Sequence, residues 1–256
     1  MKSALIGHTG FVGSTLKAQC HFDDYYRSGN ISDMAGKRYD LIVCAGAPGQ
    51  KWLANKHPEE DRQSLARLMD ALGHASAGHV VLISTIDVYP TPIGVDEETP
   101  IQSEEGHPYG RHRLQLEGFV TARFEATVVR LPGLFGEGLK KNIIFDLLND
   151  NMVDVINPRS VVQFYGLKSL WSDISKVREL GLPLVNFATE PVRVADLATE
   201  AFGRILGNPA AHPAVRYDMK TLHGHRLGGL EGYLQNAQSV MRQIEAFVES
   251  QRLREQ

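Results

Sequence analysis

KSALIGHTGFVGSTL, residues Lys2 to Leu16, is an apolar run, a glycine turn and a helical pattern in succession. Ala4-Leu5-Ile6 fits a short buried strand. Gly7, Gly10 and Gly13 follow at intervals of three, and the segment after Gly10 reads as a helix. Strand, glycine turn and helix in this order open a dinucleotide-binding unit. Gly7 lets the chain turn sharply off the strand end. Gly10 leaves room for a pyrophosphate against the backbone, and Gly13 lets the helix pack close to the strand. The helix N-terminus then offers free N–H groups and a positive dipole end to the phosphates. Thr9, Phe11 and Val12 lie in the same turn and join the glycines as cofactor-binding candidates.

The 256 residues suffice for one sizeable core, or for one domain with a small lobe. A formal charge of −3 gives no nucleic-acid footprint. The two cysteines, Cys20 and Cys44, imply no disulfide framework. Cys44 lies in an apolar run and reads as a small buried hydrophobe. Ala4-Leu5-Ile6 is too short for a signal peptide, and no apolar run reaches membrane-spanning length. The expectation is a cytoplasmic protein that binds neither membrane nor nucleic acid. His223 and His225, set around one glycine with no cysteines nearby, make a poor metal site, so no metal is expected.

Tyr25 and Tyr26 suit a second strand. A dinucleotide-binding unit usually carries an acid about 20 residues after its first glycine, to hold a ribose 2′-hydroxyl. That count from Gly7 reaches Arg27, whose forked donors suit a 2′-phosphate instead. This favours NADP, with NAD the alternative; otherwise Arg27 is a solvated loop residue. Tyr39 to Ala47 is a near-continuous apolar run of the kind buried on both faces of a parallel sheet. The short gap from Tyr26 to Tyr39 implies that the usual third strand and its helix are shortened or missing. Pro58-Glu59-Glu60-Asp61 starts a helix, with proline in the first turn and acids at the positive end. Leu65, Leu68, Met69 and Leu72 form its apolar face. His79 to Ile83 is a further buried strand, leading into Ser84-Thr85-Ile86-Asp87-Val88-Tyr89. Pro90 to Pro108 is a polar loop. Tyr109 and Arg113 then fall on one face of the next helix. Ala126 to Gly136 forms another strand and its exit. Later elements are a helix over Leu170 to Val177, a strand over Val185 to Thr189, a helix over Ala195 to Leu206, and a C-terminal helix through Leu234 to Val248.

Thr9-Gly10-Phe11-Val12-Gly13 resembles the glycine motif of the extended short-chain dehydrogenase/reductases, the nucleotide-sugar epimerase, dehydratase and reductase group. Several further segments carry the same resemblance. Ala45-Gly46-Ala47 looks like the small-residue strand end beside the cofactor. Ser84-Thr85-x-x-Val88-Tyr89 looks like the catalytic serine/threonine segment, in which Thr85 would hydrogen-bond a substrate oxygen. Tyr109 and Arg113 fill the family's Tyr-x-x-x-Lys pattern, 24 residues beyond Thr85. There the tyrosine is the acid/base, and the cation lowers its pKa and holds the nicotinamide ribose. Arg113 keeps the charge and departs from the lysine in shape. His112, between them, is expected to face outward. Arg130-Leu131-Pro132 resembles the strand exit beside the nicotinamide, which makes Pro132 a cofactor candidate. The resemblance further implies substrate contacts at Asp87 and Asn142, the latter close to the Lys140-Lys141 pair. It also implies a homodimer through the helix that begins at Pro58.

The expected fold is α/β: a doubly wound, Rossmann-like parallel sheet with a small C-terminal substrate lobe. The expected division is a core over 1–135, rejoined by 170–206, and a lobe built from 136–169 and 207–256. The implied activity is NADP-dependent oxidation, reduction or epimerisation of a nucleotide-linked sugar or similar hydroxyl/carbonyl substrate. Thr85, Tyr109 and Arg113 would be its catalytic residues. The alternative is a non-catalytic NADP-binding regulator or scaffold of the same fold.

Overall fold

The computed structural model describes residues 1–207 and 213–254 of the chain; the remainder of the expected C-terminal lobe lies outside the described residues. The chain forms two compact units. The first comprises Met1–Thr91, Thr99–Leu131 and Ser169–Val185. The second comprises Pro92–Glu98, Pro132–Lys168 and the chain from Asn186 onward.

The first unit is built on a six-stranded sheet. Its strands are β1 (Ser3–Ile6), β2 (Asp24–Tyr26), β3 (Arg38–Cys44), β4 (Ser76–Thr85), β5 (Ala126–Leu131) and β6 (Leu184–Asn186). The spatial order is β6-β5-β4-β3-β1-β2, and the pairs from β2 to β5 run parallel. The apolar runs around Leu41 and Val80 are continuous because these strands are covered on both faces. β2 reaches β3 across only one short 3₁₀ turn, Ile31–Met34, in place of a strand and helix. The shortened crossover read from the Tyr26–Tyr39 spacing is therefore present.

The helices of this unit are α1 (Phe11–Gln19), α2 (Lys51–Lys56), α3 (Pro58–Gly73), α4 (Pro108–Arg123) and α5 (Leu170–Glu179). α3 and α4 each open with a proline at the first turn, where a missing N–H costs nothing. Leu65, Leu68 and Leu72 of α3, with Leu116 and Val120 of α4, close over Ile42, Val80 and Leu82 of the sheet. α5 docks on α1, where the Trp171 N–H donates to Gln19 Oε1 at 2.9 Å.

A buried polar clamp fixes α4 to two strands. Glu117 on α4 accepts from Arg130 Nε at 3.1 Å and from Arg130 Nη2 at 2.6 Å. It also accepts from Ser84 Oγ at 2.5 Å. Arg130 on β5 donates onward to the Tyr89 hydroxyl at 2.7 Å. This bidentate pair locks α4 across the ends of β4 and β5, and α4 carries Tyr109.

The second unit has its own apolar core, made by Phe135, Ile144, Phe164, Leu197, Val240 and Ile244 among others. A parallel pair, Gly133–Phe135 with Phe164–Gly166, packs there with the helices Val194–Phe202 and Ala237–Arg254. The return of the chain to the first unit ends at Val185, whereas the sequence placed that limit near 206. The reason is that Val194, Leu197, Ala198 and Ala201 turn their apolar face to this second core. Pro92–Glu98 also belongs here, because Glu97 accepts from Asn186 N at 2.8 Å and from Thr221 Oγ1 at 2.6 Å. The glycine-rich stretch after His223 is ordered as a short helix, Gly224–Leu227, closed by left-handed Gly228.

The clamp generates a stability prediction. Glu117→Gln leaves the buried Arg130 guanidinium without its counter-charge and is expected to cost about 3–5 kcal/mol. Urea unfolding measures it. A loss below about 1 kcal/mol would mean that water reaches the pair.

Candidate active site

The glycine turn is shaped by close contacts between backbones. Gly7 has φ +83°, and its N–H donates to the Tyr26 carbonyl at 2.8 Å. A Cβ at Gly7 would collide with the Ala45 carbonyl, and a Cβ at Gly13 would collide with the Gly7 carbonyl. These two glycines let β1, β3 and α1 converge. Gly10 differs. It has ordinary extended dihedrals, φ −79° and ψ 170°, and caps α1. A Cβ there would meet only the Gly7 carbonyl, at 3.4 Å, an ordinary contact. No packing within the chain requires a glycine at this exposed position. The free N–H groups of the first turn of α1 open beside it.

Arg27 follows the end of β2, one residue beyond the carbonyl that Gly7 holds. Its side chain is exposed and, among the described residues, makes no ion pair with a carboxylate. The nearby acid Asp24 is engaged elsewhere, accepting from the Tyr39 hydroxyl at 2.5 Å and facing Lys2 and Lys37. Ala45 and Gly46 lie at the C-terminal end of β3, next to Gly7. Gly46 is a glycine for packing reasons, since a Cβ would press on Ile6 and Leu68.

Thr85 ends β4, and its hydroxyl accepts from the Asp87 N–H at 3.2 Å. The same hydroxyl faces the phenol of Tyr109, the second residue of α4. Gly110 makes this approach feasible: its Cβ would collide with the Asp87 carbonyl. Thr85 and Tyr109, 24 residues apart in sequence, are thus side by side at the C-terminal edge of the sheet. Ligands of open α/β sheets bind at that edge. Burial pushes the Tyr109 phenol above its ordinary range, and Arg113 pulls it back only in part.

Arg113 is buried between α4 and α3. It is 2% exposed and grips Asp61 of α3 with both Nη atoms, at 2.5 and 2.8 Å. The same atoms donate to the Tyr109 and Pro48 carbonyls at 3.2 and 2.5 Å. Its guanidinium carbon lies 3.9 Å from the centre of the Tyr109 ring, which it supports from below. His112 was expected to face outward, and it is buried instead, with Nδ1 2.7 Å from Asp61 Oδ2. Asp61 is the reason that His112 is buried and that Arg113 is bound from both of its Nη atoms. A buried carboxylate demands compensation, and α4 supplies an arginine and a histidine to meet it.

The chain has the fold of the nucleotide-sugar epimerases, dehydratases and reductases. MoeE5 in complex with UDP-glucose and NAD superposes with a TM-score of 0.73 at 17% identity, over 100% of both chains. RMD from Pseudomonas aeruginosa, complexed with NADPH, gives 0.74 at 16% identity, over 98% of this chain and 100% of that one. A dTDP-4-dehydrorhamnose reductase from Clostridium acetobutylicum gives 0.73 at 15% identity, over 98% and 100%. No protein-family model matches the sequence, and no curated protein matches it.

Within that fold, sequence reasoning missed Lys51, Asn55 and Asp61. Lys51 Nζ is 2.7 Å from Asp87 Oδ1. Asn55, one helical turn on, accepts from the Tyr109 N–H at 3.1 Å. α2 was not foreseen because it is short and follows a loop carrying Pro48 and Gly49. Asp61 was noticed only as an acid near a helix N-terminus. Pro132 and Asn142 lie in the second unit. Asn142 caps the helix Ile143–Leu148 with its amide oxygen, which accepts from Ile144 N and Phe145 N, and one amide N–H donates to the Leu134 carbonyl. No cluster of metal-ligating side chains occurs among the described residues, and none of their helices is long and apolar enough to cross a membrane.

The Asp61 cluster predicts a pH dependence. Burial alone would raise the Asp61 carboxyl, but Arg113 and His112 outweigh it and hold the carboxyl below the usual range. A depressed folded-state pKa stabilises the fold above the unfolded value of about 3.9 and loses that contribution as pH falls through the folded value. Asp61→Asn should therefore destabilise by about 3 kcal/mol at neutral pH. The gap to wild type should narrow below about pH 4. Thermal melts of both proteins between neutral and acid pH test this, and a gap constant with pH would exclude an ionised Asp61.

Proposed function

We propose that the chain binds NADP in the Gly7–Gly13 cradle and transfers a hydride on a nucleotide-linked sugar or similar hydroxyl/carbonyl substrate, as a reductase or epimerase. The observation that carries the cofactor half is Gly10. It is the one glycine of the turn that neither packing nor dihedral angles require, and a Cβ there would stand where a pyrophosphate meets the backbone. The N–H groups of Phe11 and Val12, with the α1 dipole, would hold the phosphates. Thr9 borders them. Arg27, exposed and without a carboxylate partner among the described residues, would pair with the 2′-phosphate. Ala45 and Gly46 would line the path of the dinucleotide along the ends of β1 and β3.

A bound nicotinamide would supply the hydride acceptor or donor. The chain supplies the proton. Thr85 orients the reacting oxygen, and Tyr109 gives or takes its proton through the phenol. A tyrosine with an ordinary pKa of about 10 is scarcely ionised at neutral pH, and burial, which raises the Tyr109 pKa, leaves still less phenolate to act as base. Hydride transfer and proton transfer together interconvert a carbinol and a carbonyl. Asp87, beside Thr85, is the candidate for a further substrate contact. One observation favours a second reading, a dinucleotide-binding protein without turnover: both Nη atoms of Arg113 are bound by Asp61 in the core.

Fluorescence titration with NADPH and NADH tests the cofactor half. Gly10→Val should abolish binding of both while the melting temperature stays within a few degrees, since the Cβ makes only an ordinary contact with the Gly7 carbonyl. Normal binding by Gly10→Val would remove the turn from the site. Arg27→Ala should weaken NADPH by about 1.5–3 kcal/mol and leave NADH unchanged. Equal losses for both would assign Arg27 no role at the 2′-position. NADPH oxidation or epimer formation with a panel of UDP- and dTDP-sugars separates the enzyme from the scaffold.

A further inference from the structure

A buried phenol acting as acid and base needs nearby positive charge to lower its pKa, an effect that nearby carboxylates offset. Arg113 supplies part of that charge from beneath the ring and is held firmly there. Both of its Nη atoms are bound by Asp61, the Tyr109 carbonyl and the Pro48 carbonyl, and His112 shares the same carboxylate. The charged and polar groups that face Tyr109 from the elements around it are therefore few. α4 presents Arg113 from beneath the ring, compensated by Asp61 of α3. The turn after β4 presents Thr85 and Asp87. α2 presents Lys51 and Asn55.

α2 is tied to the same place twice. Lys51 and Asn55 are four residues apart and share one face of the helix. Asn55 holds the N–H of Tyr109 itself, and Lys51 holds Asp87, whose other oxygen stands 3.5 Å from Thr85 Oγ1. This face of α2 therefore grips both walls of the proton-transfer site. Unlike Arg113, Lys51 is half-exposed. Its ammonium has rotatable donors on a flexible stem, where the arginine fork is buried and bidentate. The Asp87 carboxylate disfavours a phenolate next to it, and the Lys51 ammonium opposes that effect.

We propose that Lys51 is the positioning residue for the Tyr109 proton: its ammonium, paired with Asp87 beside Thr85, offsets the carboxylate that disfavours the phenolate and so adds to the cation that Arg113 places beneath the ring. The cations of the site are thus shared between α2 and the helix that carries the tyrosine. The proposal rests on Tyr109 being the acid/base, and its test needs no substrate.

The full chain labelled with 3-fluorotyrosine, whose phenol is more acidic than that of tyrosine, gives fluorine resonances that titrate. Tyr109→Phe assigns the one of interest. Lys51→Met is expected to move the Tyr109 midpoint upward by about half a pH unit to one pH unit. Lys51→Arg should bring it back toward the wild-type value. Lys51→Met combined with Asp87→Asn should do the same, because the pair then vanishes together. A purely structural role for Lys51 would not produce that double-variant recovery. An unmoved midpoint in Lys51→Met, or a double variant no nearer wild type than the single one, overturns the proposal. Dinucleotide affinity is measured on the same samples. If neither NADPH nor NADH binds wild type, the functional reading falls, while the titration still decides on Lys51.

Discussion

The structure depends on the close approach of three backbones at the end of β1. Gly7 and Gly13 exclude side chains where the Gly7 carbonyl, the Ala45 carbonyl and the first turn of α1 come together. With a side chain at either position, α1 could not start directly above the strand end. Its unpaired N–H groups would then no longer open beside Gly10. The parallel order of β2, β1, β3, β4 and β5 brings the other strand ends to the same edge. Arg27, Ala45, Gly46 and Thr85 arrive there as consequences of register. Ile6 pairs with Tyr26 on one side and with Cys44 on the other, so the residue after each partner borders the glycine turn.

A second constraint is electrostatic. Asp61 is buried on α3, and a buried carboxylate is tolerated only when paired and hydrogen-bonded. Arg113 meets that demand with two parallel bonds and then reaches Pro48, so one side chain joins α3, α4 and the segment after β3. Stacking beneath Tyr109 follows from the same posture. The arginine therefore fixes where the phenol ring lies, and its charge pulls the phenol's pKa down in part.

Features that were legible in the sequence are those encoded by local pattern. The glycine spacing gave the first turn, the apolar runs gave the buried strands, and the short gap after Tyr26 gave the truncated crossover. Tyr109 and Thr85 were legible because each sits at a strand or helix end with a recognisable neighbourhood. Features that stayed hidden are those decided by partners distant in sequence. Nothing near Arg113 reveals that Asp61, 52 residues away, will claim it. His112 read as outward because helical spacing separates it from the Tyr109–Arg113 face; the packing of α3 buries it anyway. The capping role of Asn142 stayed hidden because it depends on a left-handed turn, φ +113°, that its own residue type only permits. The helix after Arg193 was found correctly, but its allegiance to the second core was set by Phe135 and Val240, far along the chain.

The arginine at 113 also follows from what surrounds it. A lysine at this position would have one point charge and no fork. It could satisfy one oxygen of Asp61, leaving the other to His112, or turn toward the phenol and leave Asp61 undercompensated. The arginine removes that competition, because two parallel bonds to a carboxylate in a dry site are stronger than anything the phenol offers. Asp61, His112 and Arg113 therefore behave as one unit: the identity at 113 follows from the acid at 61. α2 lies outside that unit. It starts just past Pro48, whose carbonyl Arg113 holds, so the same clamp steadies the short helix that carries Lys51 and Asn55.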